Sequence, residues 1–289
     1  MTIPQLNDYS MPLPHELPDN RVDWRPVAHR SVLLVHDMQD YFLRFYAHDS
    51  ELIRALIGNL QRLISWCREH NIPVVYTAQP HQQTPAERAL LTDMWGPGLT
   101  AADPQLQQIV TALQPDANDV VLTKWRYSAF QRSPLKKLMA DWQRDQLLIG
   151  GIYAHIGCMT TALDAFMNDI QPFFVADALA DFSATDHLMA LNYVASRCGS
   201  VTTTEQVLAT PAGHLNRDWL LSRIGQLVEG VSELDLDENL IYYGLDSIQV
   251  MTLAGELKAQ GIALKFEELA RTPTINSWLA LIEQKLQAA

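Results

Sequence analysis

The stretch GIYAHIGCMTTALDAF, residues 151–166, joins the end of an apolar run to the beginning of a helical pattern. The run that leads into it, QLLIGGIY (146–153), is typical of a buried strand, and TTALDAF is typical of the first turns of a helix. A cysteine, Cys158, lies at the join, where helix N-terminal amides lower the pKa of a thiol. The stretch therefore predicts a strand followed directly by a helix, and it leaves Cys158 as either a nucleophile or a packing residue.

Five more apolar runs along the chain have the same strand-like character, and helical patterns separate them. They are SVLLVHD (31–37), IPVVYTA (72–78), DVVLTK (119–124), PFFVADA (172–178) and GSVTTT (199–204). Residues 51–70 form the longest helical pattern, with leucines on one face at Leu52, Leu56, Leu60 and Leu63. Apolar strands that alternate with helices predict an α/β domain, a Rossmann-like parallel sheet with helices on both faces.

The edge of such a sheet at the carboxyl ends of its strands is where ligands bind. That rule selects Asp37, Gln79, Lys124 and the segment after Gly151. Opposite charges delivered to one edge favour a functional Asp37–Lys124 pair, although the residues alone also permit a structural ion pair. The sequence therefore places the candidate site at this edge.

The last quarter of the chain has a different pattern. We predict a first domain over residues 1–207, a linker over 208–215 that contains Pro211 and Gly213, and a second domain over 216–289. The second domain has helical patterns without a convincing strand, and it carries six Lys/Arg against eleven Asp/Glu. We expect a small, acidic, all-α four-helix domain.

The segment YYGLDSIQVMTLAGEL, residues 242–257, is the most specific motif of this second domain. Gly244 allows a turn, Asp246 can cap a helix, and Ser247 then falls at the first helical position with an exposed hydroxyl. We expect the buried face of this helix to be formed by Ile248, Met251, Ala254 and Leu257. A phosphodiester on Ser247 would face the free helix N–H groups, but an idle serine on a capped surface helix fits the same residues.

The composition excludes several classes of function. A net charge of −12 argues against nucleic acid or anionic membrane as a main partner. Three cysteines are too few and too scattered for a disulfide framework, and the N-terminus lacks the pattern of a signal peptide. No metal site is expected, because His36, His81 and His155 lack ligand spacing. We expect a cytoplasmic protein.

The string GLDSIQVMTL closely resembles the attachment motif of acyl and peptidyl carrier proteins, G-x-D-S followed by apolar residues. The resemblance implies that Ser247 carries covalent 4′-phosphopantetheine, whose thiol holds an acyl group as a thioester. It also implies that Asp246 helps the modifying transferase to act.

The first domain resembles the isochorismatase-like hydrolases, whose D-x-Q-x-x-F-like element and later lysine match Asp37 and Lys124. Amidohydrolase members add a cysteine nucleophile six residues after a glycine, and counting from Gly151 that position is Gly157. Cys158 lies one residue further on, and one residue turns a helical side chain by about 100°. We therefore expect Cys158 to point into the packing and Gly157 to leave space for substrate where a thiol would be.

The whole chain resembles the bifunctional isochorismatase/aryl carrier proteins of catechol siderophore synthesis. The resemblance implies hydrolysis of the isochorismate vinyl ether to 2,3-dihydro-2,3-dihydroxybenzoate and pyruvate, and tethering of 2,3-dihydroxybenzoate on the carrier. Asp37 is then the candidate general acid, with Lys124 beside it. Candidates for holding the carboxylates and hydroxyl of the substrate are Lys124, Gln79, Arg88 and Tyr153. Candidates for enclosing its ring are Trp95, Phe42 and Phe130.

Two alternatives differ from this hypothesis: a cysteine amidohydrolase that uses Cys158, and a non-catalytic carrier whose large domain is a scaffold. The resemblance also implies partners, namely a phosphopantetheinyl transferase, an aryl-acid adenylating ligase and a condensation domain of a nonribosomal peptide synthetase. They would meet the helix that begins at Ser247, through apolar positions such as Ile248 and Met251. Self-association of the hydrolase domain is expected on the same basis.

Overall fold

The structure is a computed structural model, and it describes residues 3–210, 217–228, 234–259 and 262–288. The chain divides into two compact units, residues 1–210 and residues 211–289. The predicted linker over 208–215 lies mostly outside the described residues, because residues 211–216 are not among them. Its limits, and those of the two domains, stay predictions.

The first unit contains a sheet of six strands that are all parallel, in the order β3-β2-β1-β4-β5-β6. The strands are β1 (Ser31–His36), β2 (Val74–Ala78), β3 (Val120–Thr123), β4 (Gln146–Gly151), β5 (Gln171–Leu179) and β6 (Ser200–Thr202). Each predicted apolar run contains or closely matches one of these strands. The predicted α/β fold is confirmed, because strands buried on both faces must carry apolar side chains on both.

Eight α-helices accompany the strands within residues 3–210. They are α1 (Asp40–Leu43), α2 (Glu51–Glu69), α3 (Pro85–Arg88), α4 (Leu91–Trp95), α5 (Leu135–Asp141), α6 (Met159–Met167), α7 (Ala184–Arg197) and α8 (Thr204–Leu208). Helix α2 begins where Ser50 accepts a hydrogen bond from the Ile53 amide at 3.0 Å. Its four predicted leucines are all buried. Helices α5, α6 and α7 form one core with the sheet, and α2 and α8 pack together on β5 outside that core.

The chain changes direction at the end of β4. Gly151 has φ 120°, and a Cβ on it would lie 2.2 Å from the carbonyl oxygen of His36, so β1 and β4 approach too closely there for a side chain. A π-helical turn, Ala154–Cys158, follows and leads directly into α6. In the sheet, β2 and β3 lie on one side of β1, and β4 lies on its other side. The carboxyl ends of β1 and β4 are adjacent, and they form the switch point where such sheets bind ligands.

The second unit is helical throughout the residues that are described. Its helices are α9 (Arg217–Leu227), α10 (Ser247–Ala259), α11 (Phe266–Arg271) and α12 (Ile275–Ala288). Trp278 lies at 0% exposure in their shared core, and its indole Nε1 donates to the Leu269 carbonyl oxygen at 2.8 Å. Thr274 caps α12, accepting from the Ser277 amide at 3.2 Å. The predicted all-α second unit is confirmed.

Candidate active site

A cavity opens at the carboxyl edge of the sheet. Asp37 follows β1, Gln79 follows β2, Lys124 follows β3 and Tyr153 follows β4, and all four line it. These residues are far apart along the chain, and the parallel sheet brings them together because all its strands end at one edge. The carboxyl-end rule therefore locates this site.

A charged pair forms the polar part of the cavity. Lys124 Nζ donates to Asp37 Oδ2 at 2.6 Å, and Thr77 Oγ1 donates to Asp37 Oδ1 at 2.7 Å. The Lys124 and Asp37 side chains are only 2% and 7% exposed. Asp37 also has φ 50°, an unusual backbone conformation for a residue other than glycine. A charge buried this deeply needs its partner, so the pair is held as a unit.

The glutamine two residues after Asp37 fixes the neighbouring strand end. Gln39 Oε1 accepts the Gln79 amide at 2.8 Å, and Gln39 Nε2 donates to the carbonyl oxygens of Gln79 and Gln107. The side chain is completely buried. These hydrogen bonds give a physical reason for the D-x-Q pattern, because they tie the loop after β2 to Gln39, the second residue after Asp37.

Arg88 is a buried cation beside the cavity, with 6% exposure. Its Nε donates to the Gly96 carbonyl oxygen at 2.9 Å, whereas its Nη1 is buried without a hydrogen-bond partner among the described residues. Gly98 has φ 58°, and a Cβ there would lie 2.4 Å from Arg88 Nη2, so glycine is needed beside the guanidinium. Burial lowers the pKa of Arg88, but a guanidinium stays charged at neutral pH. An unpaired buried Nη1 is a donor suited to an anionic ligand.

Aromatic side chains enclose the other sides of the cavity. The lining rings belong to Tyr41, Phe42, Trp95, Tyr127, Tyr153 and Phe182. Trp95 Nε1 donates to the Tyr127 hydroxyl at 2.7 Å, and the Phe182 ring stands edge-on to Tyr153 with centroids 4.7 Å apart. Phe130, expected here from sequence, instead lies in the hydrophobic core with Leu135 and outside the cavity lining.

Two further expectations about site residues change. The Tyr153 hydroxyl donates to the Phe42 carbonyl oxygen at 2.9 Å, so toward a ligand it acts as a wall and an acceptor. Gly157 lines the cavity, but the space over its Cα holds the His36 imidazole, not a void for substrate. A Cβ built on Gly157 would lie 2.3 Å from His36 Cε1.

Cys158 lies in the hydrophobic core at 0% exposure and does not line the cavity. Burial raises the pKa of its thiol well above the usual value, which disfavours the thiolate that a nucleophile needs. The one-residue offset from Gly157 predicted this orientation. No observation on the described residues favours Cys158 as a nucleophile.

Several residues of the site were not selected from the sequence. Tyr41 lies inside the HDMQDYF motif, next to Phe42, and Phe182 follows the end of β5, so the carboxyl-end rule applied to β5 would have found it. His36 was considered for metal binding alone. Its contact with Gly157 joins residues 121 positions apart and has no local signal.

An ion pair supports the loop that carries Phe182. Asp181, with a completely buried side chain, accepts from His155 Nδ1 at 2.5 Å, from the His155 amide at 2.6 Å and from the Phe182 amide at 2.8 Å. Burial alone would lower the pKa of His155, but the hydrogen bond and negative charge of Asp181 outweigh it and raise that pKa. The pair ties the π-helical turn to the end of β5.

The second unit presents its candidate site openly. Ser247 is the first residue of α10 and is exposed, Asp246 Oδ1 accepts the Gln249 amide at 2.8 Å, and Gly244 turns the chain with φ 90°. An exposed hydroxyl at the N-terminus of a 13-residue helix fits covalent attachment of a phosphodiester, because helix amides and the helix dipole favour an anion there. The local geometry is the one predicted from the motif.

The predicted buried face of α10 is wrong at two positions. Ile248 is 74% exposed and Met251 is 55% exposed, whereas Val250, Leu253 and Leu257 form the buried side. Helix α10 has apolar residues on two sides, and the remainder of the unit covers the side that carries Leu253. Ile248 and Met251 therefore form an exposed apolar patch beside Ser247.

Metal and membrane features were searched across the parts of the chain that the structure describes. No group of three His, Cys, Asp or Glu side chains there could hold a metal ion. None of the helices in those ranges is long and apolar enough to cross a bilayer.

The fold and the two sites define a class of protein: an α/β unit with a buried Asp–Lys pair at the carboxyl edge of a parallel sheet, followed in the chain by a helical unit with an exposed serine. Comparison with known families agrees. The isochorismatase domain matches residues 31–206, and the phosphopantetheine attachment site matches residues 218–282. The chain belongs to the isochorismatase family and carries a phosphopantetheine attachment domain. The predicted enzyme class and covalent cofactor are thereby confirmed.

Individual relatives support the same assignment over the whole chain. Enterobactin synthase component B of Escherichia coli K12 is 49% identical, covering 99% of this chain and 100% of that protein. Isochorismatase of Bacillus subtilis 168 is 43% identical, covering 99% of this chain and 97% of that protein. A cysteine hydrolase of Pseudomonas syringae pv. phaseolicola 1448A has a similar structure, with TM-score 0.59 and 23% identity over 66% of this chain and 95% of its own. That structural similarity concerns the fold alone.

Proposed function

We propose that the first unit hydrolyses the vinyl ether of isochorismate to 2,3-dihydro-2,3-dihydroxybenzoate and pyruvate, with Asp37 as the general acid. The observation that carries this proposal is the buried Asp37–Lys124 pair at the cavity wall, beside a glycine at position 157. A vinyl ether requires a placed proton and charge complementarity, and it requires no nucleophilic side chain. The site supplies both requirements.

The reaction needs one proton at carbon and one water molecule. Asp37 delivers a proton to the enol-pyruvyl methylene, which becomes a methyl group, and the adjacent ether carbon becomes an oxocarbenium ion. Water adds to that carbon and returns a proton to the Asp37–Lys124 pair. The hemiketal then breaks its bond to the ring oxygen, which takes up the proton of the hemiketal hydroxyl, and pyruvate and the diol separate.

The proton of the general acid has a source within the pair. Lys124 Nζ and Thr77 Oγ1 both donate to Asp37, which is the arrangement of a carboxylate. A proton that moves from Nζ to Oδ2 across 2.6 Å turns the charged pair into a neutral amine and a carboxylic acid. Substrate binding that displaces water from the cavity favours this transfer, because a neutral pair loses less hydration on burial than a charged pair. Lys124 is then the proton reservoir of the general acid.

Arg88 is the best-supported carboxylate anchor. Its unpartnered Nη1 supplies a buried, charge-assisted donor, and isochorismate carries two carboxylates. Gln79 offers an amide from the end of β2 for a second polar contact. Phe42, Trp95 and Tyr127 supply apolar walls for the ring, and Tyr153 acts as a further wall with its hydroxyl already donated.

The decisive experiment follows pyruvate release from isochorismate with Asp37→Asn. Asparagine keeps the shape of the side chain but donates no comparable proton, so we expect kcat to fall about 1,000-fold. The matched control is Asp93→Asn, an exposed aspartate on α4 near the same cavity, which should retain the wild-type rate within about twofold. Asp37→Asn also leaves Lys124 buried without a carboxylate, so thermal unfolding is measured on both variants. A folded Asp37→Asn protein with the wild-type rate would contradict the role of Asp37.

For the second unit we propose that Ser247 carries 4′-phosphopantetheine and tethers 2,3-dihydroxybenzoate for siderophore synthesis. When bound, the group supplies a flexible arm with a terminal thiol for the thioester. The exposure of Ser247 and its capped position on α10 support this role, and Asp246 holds the helix end beside it.

The exposed apolar patch formed by Ile248 and Met251 supports contact with partner enzymes. These two side chains lie three residues apart on one side of α10, next to Ser247, where any enzyme that acts on the arm must approach. We propose that a phosphopantetheinyl transferase, an aryl-acid adenylating ligase and a condensation domain use this patch. The acidic surroundings suit partners with basic rims.

Self-association of the first unit and a cytoplasmic location are also proposals. Self-association of the first unit is supported by apolar side chains exposed at neighbouring helices α6 and α7, namely Phe166, Met167 and Met189. Sedimentation equilibrium of the purified protein tests it, and a monomer at all concentrations would contradict it. A cytoplasmic location fits the three unpaired cysteines.

A further inference from the structure

The contact between His36 and Gly157 is a close contact in the active-site region that the mechanism does not use. A Cβ on Gly157 would lie 2.3 Å from His36 Cε1, 2.9 Å from its Nε2 and 3.2 Å from the Tyr127 carbonyl oxygen. The backbone of Gly157 is not in the left-handed region that favours glycine, so its conformation would accept another residue. Glycine is therefore required at position 157 because of the imidazole, and not because of the backbone.

Burial and a hydrogen bond hold the His36 imidazole in place, so a side chain at position 157 could displace it only at a cost in stability. His36 is completely buried, and its Nδ1 donates to the Ile152 carbonyl oxygen at 2.8 Å. Its Nε2 lies 3.5 Å from Thr161 Oγ1, and that hydroxyl donates to the Gly157 carbonyl oxygen at 2.7 Å. Burial also lowers the pKa of His36 to about 4, so the ring is neutral at pH 7 and attracts no second proton beside Lys124. The ring is fixed at the ends of two adjacent strands.

We propose that His36 is a specificity-determining residue of this site, whose imidazole occupies the volume of any side chain at position 157 and so keeps that position without a nucleophile. His36 and Gly157 then act as a coupled pair, in which neither can change alone. The consequence rests on the proposed function: the Asp37–Lys124 pair is reserved for proton transfer because no thiol or hydroxyl side chain fits at position 157. His36 itself lies outside the cavity lining and touches no substrate.

The test is a double-mutant cycle on His36 and Gly157. Gly157→Ala adds only the clashing methyl group, and we expect kcat/KM for isochorismate to fall about 100-fold, because displacement by about 1 Å near the reacting groups costs that much. The Tm should fall by about 5 °C through overpacking. Gly58→Ala on α2 is the matched control, since a Cβ on Gly58 meets nothing within 4 Å. It should leave kcat/KM at its wild-type value and should not lower the Tm, because alanine favours a helix more than glycine does.

The rescue step replaces the histidine with a smaller donor. His36→Asn keeps an N–H for the Ile152 carbonyl oxygen and removes the atoms that Gly157→Ala would strike. In the His36→Asn background, Gly157→Ala should lower the Tm by less than about 1 °C and kcat/KM by less than about threefold. Equal losses from Gly157→Ala in both backgrounds would overturn the proposal, as would a Gly157→Ala protein with wild-type Tm.

The Tm values of the double-mutant cycle keep this test separate from the proposed function. If the protein does not hydrolyse isochorismate, the Tm cycle still reports whether His36 excludes a side chain at position 157. If His36→Asn does not fold, a crystal structure of Gly157→Ala decides: the proposal requires the imidazole displaced from its contact with Ile152, and an undisplaced ring would contradict it.

Discussion

The two functional sites of this chain are built in opposite ways. The hydrolase site collects Asp37, Arg88, Lys124 and Tyr153 from four separate parts of the chain and buries them. The carrier site is the contiguous segment around Ser247, and it is exposed. Burial makes charge interactions strong and fixes their geometry, which proton transfer needs. Exposure makes a hydroxyl available to several enzymes in turn, which a carrier needs.

The comparison implies that the two sites should respond differently to substitution. At the hydrolase site Asp37 and Lys124 are each other's buried partners, so a change of either affects both the chemistry and the fold. At the carrier site Ser247 has solvent around it, so a change there removes one reaction and little stability. The predictions below test this difference.

The largest effect is expected at the exposed site. Ser247→Ala should abolish the mass increment of one phosphopantetheine after treatment with a phosphopantetheinyl transferase, because no other atom replaces the hydroxyl. Ser222→Ala, an exposed serine on α9 of the same unit, is the matched control and should gain the full increment. Intact-protein mass spectrometry measures both, and an increment on Ser247→Ala would show that attachment occurs elsewhere.

A substantial effect on substrate binding is expected at the buried site. Arg88→Gln removes the unpartnered Nη1 and its charge, and we expect KM for isochorismate to rise about 10- to 100-fold, the value of a hydrogen bond to a charged group. The control is Arg54→Gln on α2, whose side chain is 62% exposed, and it should leave KM within about twofold. Steady-state pyruvate release gives KM, and an unchanged KM in a folded Arg88→Gln protein would remove Arg88 from the carboxylate site.

A moderate effect is expected from the apolar patch beside Ser247. Met251→Ser should lower the rate of aryl loading by the adenylating ligase about tenfold at subsaturating carrier. The reason is that a methionine side chain buried at an interface contributes to binding through its apolar area, and serine has almost none. Met167→Ser, which changes an exposed methionine of the first unit, is the control. Equal loading rates for Met251→Ser and wild type would show that the ligase docks elsewhere.

The smallest effect is a pH dependence of stability from the His155–Asp181 pair. The folded-state pKa of His155 is raised, so the pair contributes stability that is fully present below the unfolded value of 6.5 and lost as pH rises through the folded value. We expect the Tm to fall by about 3 °C or less across that range, and the fall to disappear in His155→Gln. His36 and His187, with pKa values near 4, titrate well below this window. An identical pH profile of Tm in both proteins would show that the pair makes no pH-dependent contribution to stability.

The pattern of apolar and polar residues along the sequence was sufficient to predict the fold and part of each site. Six apolar runs predicted six strands, since a sheet covered on both faces needs apolar residues on both. The ends of those runs located Asp37 and Lys124 at one edge. The Cys158 orientation followed from one helical step after Gly157. Each of these inferences depends on a local period or on a rule about strand ends.

The errors arose where the choice depends on residues distant in sequence. Phe130 and Trp95 are both aromatic residues in the connections between strands, and only the packed structure shows that the first lies in the core and the second at the cavity. Helix α10 has two apolar sides, and its own sequence does not reveal which side the other helices cover. The hydroxyl of Tyr153 has a backbone partner 111 residues away.

The sequence by itself determined the α/β order, the position of the acid after β1, the empty nucleophile position and the attachment serine, because periodicity, strand ends and a contiguous motif are local properties. The tertiary structure decided which atoms meet: Lys124 with Asp37, the unpartnered Arg88 with the cavity, and the His36 imidazole over Gly157. The two pairs join residues that are 87 and 121 positions apart, and close packing leaves room for one arrangement of them.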